Sequence, residues 1–167
     1  IDLSCCKAKR LLNVDSEEEG IFTVGCAGGI RVQSDIPMKR EPRSGLCLDF
    51  KFQGILGGHS GIEINNGLAN ANVLTGRFFM ALKKVCDFEI ITLSGGVKEN
   101  VIPKDAQFSL LIAQPDLAIV EKELADFNAE IKAEYAAADP NAVLVMASAG
   151  VSDAYVLDNE SMNRLIT

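Results

Sequence analysis

The clearest alternation of apolar and polar positions lies between residues 46 and 53. Leu46, Leu48, Phe50 and Phe52 alternate with Cys47, Asp49, Lys51 and Gln53. Successive side chains on a strand point to opposite faces, so this stretch predicts a strand with one buried face and one wetter face. The period then changes. Leu74, Phe78, Ala81, Leu82 and Val85 recur at intervals of three and four, which predicts a helix over Asn70 to Cys86 with one apolar stripe. Phe88 to Leu93 and Gln107 to Ala113 read as two further strands, joined by a loop that holds Gly95, Gly96, Asn100 and Pro103. Pro115 and Asp116 stand where a helix would begin. Leu117, Val120, Leu124, Phe127 and Ile131 carry that helix to about Ala137, and Asp139-Pro140 stops it. Ala142 to Ser148 reads as a last strand and Asp158 to Thr167 as the start of a helix.

Upstream of Leu46 the pattern is weaker. Lys9 to Asp15 reads as a short buried strand ending in an acid, and Ser16 to Gly20 as an acidic turn. Ile21 to Ile36 is strand-like but interrupted by Gly25, Gly28 and Gly29, which predicts a bend or bulge. Asp35 to Ser44, with Pro37, Pro42 and several charges, reads as a loop. From Leu46 onward the order is strand, helix, strand, strand, helix, strand. That is the split βαβ order of a ferredoxin-like α+β sandwich, an antiparallel sheet burying one face under two helices, here preceded by a strand or hairpin extension.

Composition narrows the function classes. The chain has 167 residues, 48% hydrophobic and 23% charged, enough for one domain with a real core. Its 16 basic against 23 acidic residues give a net charge of −7. Neither nucleic acid nor an anionic membrane attracts such a surface, so neither is expected as a partner. Cys5, Cys6, Cys26, Cys47 and Cys86 have no zinc-type spacing and suit reduced thiols. With no signal-peptide pattern and no apolar run long enough for a bilayer, the expected location is cytoplasmic.

Three positions could carry chemistry. His59, the only histidine, sits in Gly57-Gly58-His59-Ser60-Gly61 between a strand and a helix. It is either a structural residue or, unshielded among glycines, a hydrogen-bond donor to a carbonyl oxygen that becomes an oxyanion. Asn100 serves loop geometry or binding. Asp15 is either part of a solvated acidic turn or, at a strand end, a metal ligand. A single histidine cannot build a multi-histidine zinc site within this chain. No Ser-His-Asp signature and no phosphate-cradling loop is present.

Three segments together carry a resemblance. Asn13-Val14-Asp15-Ser16-Glu17-Glu18-Glu19-Gly20 with Gly25-Cys26-Ala27-Gly28-Gly29, then Gly57-Gly58-His59-Ser60-Gly61-Ile62-Glu63-Ile64 with Asn70-Ala71-Asn72, and finally Gly95-Gly96 with Asn100-Val101-Ile102-Pro103 resemble aminoacyl-histidine dipeptidases in order and spacing. Those enzymes are two-zinc exopeptidases whose catalytic domain is interrupted by a lid. The resemblance implies that Asp15 ligates one zinc, that the lid histidine His59 stabilises the substrate carbonyl oxygen, and that Asn100 holds the bound dipeptide. Glu99 departs from the family, where a basic residue is more usual. The resemblance further implies that residues 1–20 are a remnant of the catalytic domain, 21–157 the first half of the lid, and 158–167 the lead into its second half. On this view the chain alone is inactive, and the whole protein is a cytosolic zinc dipeptidase cleaving Xaa-His or similar short peptides. Two other functions stay open: an interaction module, expected to form a homodimer, and a small-ligand-binding domain that needs no zinc.

Overall fold

A long strand organises the sheet. In the computed structural model, which describes residues 4, 7–10, 19–22, 24–25 and 28–166, β1 (Arg40–Gln53) lies between β5 (Ala106–Ile112) and β6 (Val143–Leu157), antiparallel to both. β3 (Glu89–Gly95) pairs antiparallel with the far side of β5, giving the order β3-β5-β1-β6. The helices α1 (Ala71–Leu82), α2 (Leu117–Glu134) and α3 (Asn159–Ile166) complete the α+β sandwich. The ferredoxin-like order read from the pattern is therefore present, with a small ribbon of β2 (Gly58–His59) and β4 (Val101–Ile102) added beside it. Two units are distinguishable, residues Ile1–Asp35 and Ile36–Thr167, and all these elements belong to the second.

The alternation in β1 does what it predicts. Leu46, Leu48, Phe50 and Phe52 are buried in one cluster with Leu74, Phe78, Phe79 and Leu82 of α1 and Val120, Phe127 and Ile131 of α2. Cys47 faces the other way, in a smaller cluster with Leu111 and Val156. The main core is aromatic at its centre. Phe50 and Phe108, register partners across β1 and β5, stack at 4.9 Å, and Phe79 meets Phe108 edge-on at 4.8 Å. Phe78 bridges to α2 through Phe127 at 5.3 Å. Met162 and Leu165 of α3 pack on the same cluster, so the helical layer has three members rather than the expected two.

Helix boundaries follow local chemistry. The Asn70 side chain caps α1 by accepting from the amides of Asn72 and Val73. α1 ends at Leu82, short of the expected Cys86, and the chain continues in turns bonded to the carbonyls of Phe79, Ala81 and Leu82. Pro115 sits in a 3-10 turn over Gln114–Asp116 that leads into α2.

Three expectations are corrected. Asp35 to Ser44 is not wholly a loop, because β1 already begins at Arg40 and pairs with the end of β6. Over residues 40–45 β1 has β6 as its ladder partner but not β5, so Pro42, which has no N–H, is tolerated on the open side. The last strand does not stop near Ser148 but runs to Leu157. It continues through a bulge at the Ala147-Ser148-Ala149-Gly150 run. The register shifts opposite Cys47 and Leu48, and Gly150, at φ +89°, takes the backbone conformation that the extra residue demands. Finally, the described residues between 19 and 39 form no strand, so the strand-like reading of Ile21 to Ile36 fails. Apolar alternation supplies no ladder partner, and three glycines weaken an extended segment further. The strand expected over Lys9 to Asp15 falls mostly outside the described residues.

Candidate functional site

Beyond β1 the chain makes a loop, residues 54–70, before entering α1. The loop carries β2, whose two residues pair antiparallel with β4: Gly58 with Ile102 and His59 with Val101. The amide of Ser60 donates to the carbonyl of Asn100 at 3.1 Å, and that of Ala71 to the carbonyl of Pro103 at 2.8 Å. His59 and Asn100, 41 positions apart by their numbers, thus sit at the same end of one ribbon. Asp15 lies outside the described residues.

The His59 ring is exposed but not free to turn. Its Nδ1 accepts from the amides of Gly61 at 3.1 Å and Ile62 at 3.4 Å. A ring nitrogen that accepts carries no proton, so the neutral ring holds its proton on Nε2. The turn beneath it is closed from both ends: the His59 amide donates to Glu63 Oε2 at 2.7 Å, and the Glu63 amide donates to the His59 carbonyl at 3.1 Å. Gly61 lets the ring lie close to the backbone: a Cβ on it would stand 3.2 Å from Cε1 and Nδ1, and the ring would have to shift by a few tenths of an ångström. Sequence reasoning missed the role of Glu63, although an acid four residues beyond a glycine-flanked histidine was visible.

A depression of about 620 Å³ opens beside the ribbon, between Ser60, Asn70, Asn72, Gly96, Lys98 and Pro103. Its lining mixes amides, a hydroxyl, the Lys98 ammonium and the Glu99 carboxylate with the apolar side chains of Ile64, Leu68 and Val97. A second depression, of about 560 Å³, lies on the sheet face opposite the helices. There Thr92 donates to Ser109, which donates to Asp49, a polar ladder that ties three strands together.

Other nucleophiles are quiet. Burial pushes the Cys86 thiol up to about 11, with Asp116 and Asp87 adding to the shift, so it stays protonated at neutral pH. Among the described residues no three His, Cys, Asp or Glu side chains come together to hold a metal. These residues alone therefore do not make the two-zinc centre that the resemblance implies. No described helix is long and apolar enough to cross a membrane.

Residues 51–139, more than half of the chain, match the family of peptidase dimerisation domains. The chain belongs to that family. The cytosol non-specific dipeptidase of Escherichia coli (strain K12) is 35% identical to it over 144 residues, 85% of this chain and 30% of that protein. The solved aminoacylhistidine dipeptidase of Vibrio alginolyticus superposes with a TM-score of 0.70 at 25% identity, covering 80% of this chain and 27% of that one. The dimerisation domain and its surroundings here thus span less than a third of either relative's length. The expected kinship with dipeptidases holds for the domain, and His59 and Asn100 both lie within the matched residues.

Proposed function

We propose that this chain is the lid and dimerisation domain of a cytosolic zinc dipeptidase acting on Xaa-His or similar short peptides. The observation that carries the reading is the fixed tautomer of His59: with Nδ1 occupied by two backbone amides, Nε2–H is the donor the ring can offer. Such a donor suits the oxygen of a peptide carbonyl as it gains charge in the transition state. Asn100, tied to Ser60 by the ribbon, is the proposed holder of the dipeptide. The two zinc ions of the whole enzyme would polarise the scissile carbonyl and activate water, with ligands outside the described residues, Asp15 among them. The test is the turnover of His59→Ala in the zinc-loaded dipeptidase.

Asn100 gives a different signature. Removing a hydrogen bond to a charged ligand group costs about 1.5–3 kcal/mol. Asn100→Ala is therefore expected to raise KM about tenfold or more and to lower kcat less. An unchanged KM in steady-state kinetics would remove Asn100 from substrate binding.

Self-association is the second part of the proposal, and membership of a dimerisation family supports it. The chain at about 50 µM is expected to sediment as a homodimer, since mass action favours the associated state at such concentrations. A single monomer boundary would overturn this part and leave the His59 reading in place. No nucleic acid or membrane partner is proposed, in keeping with the net charge of −7.

A further inference from the structure

Asp139 is almost fully buried, at 1% exposure, yet it lies just beyond α2 in a stretch that the sequence marks only as a helix stop. Its own backbone is engaged: its amide donates to the Tyr135 carbonyl and its carbonyl accepts from the Ala142 amide. Its side chain does something else. Oδ1 accepts from the amide of Leu56 at 2.8 Å, and Oδ2 accepts from the amide of Ala69, also at 2.8 Å. Leu56 and Ala69 stand near the two ends of the loop that carries His59. One carboxylate therefore draws both ends to a single point and closes the neck of that loop. A loop whose ends are joined samples far fewer arrangements than an open one. Two short charge-assisted bonds in a buried setting hold such a neck tightly.

We propose that Asp139 is the positioning residue for His59, its carboxylate clamping the Leu56 and Ala69 amides so that the loop presents the imidazole in one orientation. The inference rests on the reading of His59 as the working group of the lid, but the clamp itself is read out without any activity. Within the loop the β2–β4 ribbon and the Glu63 turn fix the ring locally. Asp139 fixes the loop that contains them to the end of α2. A carboxylate suits this task because both of its oxygens accept; an amide in its place would turn an NH2 towards one of the two backbone N–H donors.

The experiment is nuclear magnetic resonance on the 167-residue chain, comparing the native protein with Asp139→Asn. In the native protein the imidazole nitrogen shifts of His59 are expected to report the Nε2–H tautomer alone. In Asp139→Asn the tautomers are expected to mix, and the amides of Gly61 and Ile62 to exchange with solvent about tenfold faster or more. The Phe50, Phe78 and Phe108 ring signals are expected to stay in place, which separates a loosened loop from a damaged core. A folded Asp139→Asn chain with an unchanged tautomer and exchange within twofold would overturn the proposal. Should that variant not fold, the native chain decides it. Exchange of the Leu56, Ala69, Gly61 and Ile62 amides through one common opening supports the clamp, and Gly61 and Ile62 opening independently of the other two overturns it. Failure of the functional reading shows elsewhere, as full turnover in His59→Ala.

Discussion

In the zinc dipeptidase proposed above, replacing His59 by alanine is expected to lower kcat about 10²-fold or more, with KM nearly unchanged and zinc retained. Removing one pre-aligned donor to a developing oxyanion costs on the order of 10²–10³ in kcat, about 2.7–4 kcal/mol of barrier. The donor here is aligned in advance, because the amides of Gly61 and Ile62 hold Nδ1 and leave the proton on Nε2. Such a bond strengthens only as the carbonyl oxygen gains charge, so its loss falls on kcat rather than on substrate affinity. Metal content measured beside the kinetics separates this from loss of a zinc ligand. Turnover within twofold of the native enzyme would remove His59 from the chemistry.

The second large effect concerns stability. Phe108→Ala is expected to destabilise the folded chain by about 3–5 kcal/mol, the usual range for emptying a buried phenylalanine site. Phe108 is 1% exposed and touches aromatic rings on both layers, stacking on Phe50 and meeting Phe79 edge-on and Phe78 at 6.0 Å. These rings come from β1 and α1, which are themselves anchored elsewhere, so the site cannot collapse without moving the sheet or the helix. The aromatic pairs add roughly 0.5–1.5 kcal/mol each beyond their buried area. Phe108→Leu, which fills most of the space, is expected to cost less than half as much. Urea unfolding followed by circular dichroism measures both variants. A loss below about 1 kcal/mol for the alanine variant would mean that the core repacks freely around this position.

The sheet and its helical layer were legible because periodicity reports burial directly. Leu46 to Phe52 alternate because one face of β1 meets helices, and the stripe from Leu74 to Leu82 exists because α1 lies on that face. The missed parts depend on partners that are distant in sequence. Arg40 to Ser44 looks like loop because its ladder partner, residues 153–157, is more than a hundred residues away. The strand beyond Ser148, with its bulge at Gly150, left no signal for the same reason. At the site, the glycine-rich setting singled out His59, and the loop between the two middle strands singled out Asn100. What brings them side by side is a ribbon of two residues on each strand, too short to leave a periodic signal. Asp139 was visible only as a helix stop, since nothing local says that its carboxylate serves amides 83 and 70 residues away.

The pairing of Arg40 with Leu157 has one more consequence. The backbone of Asp158 also donates to the Lys39 carbonyl, so the chain entering β1 and the chain passing from β6 into α3 run side by side. Loosening at one end of this pairing therefore reaches the other: fraying of β1 at Arg40 also frees the root of α3, whose Met162 and Leu165 pack on the core.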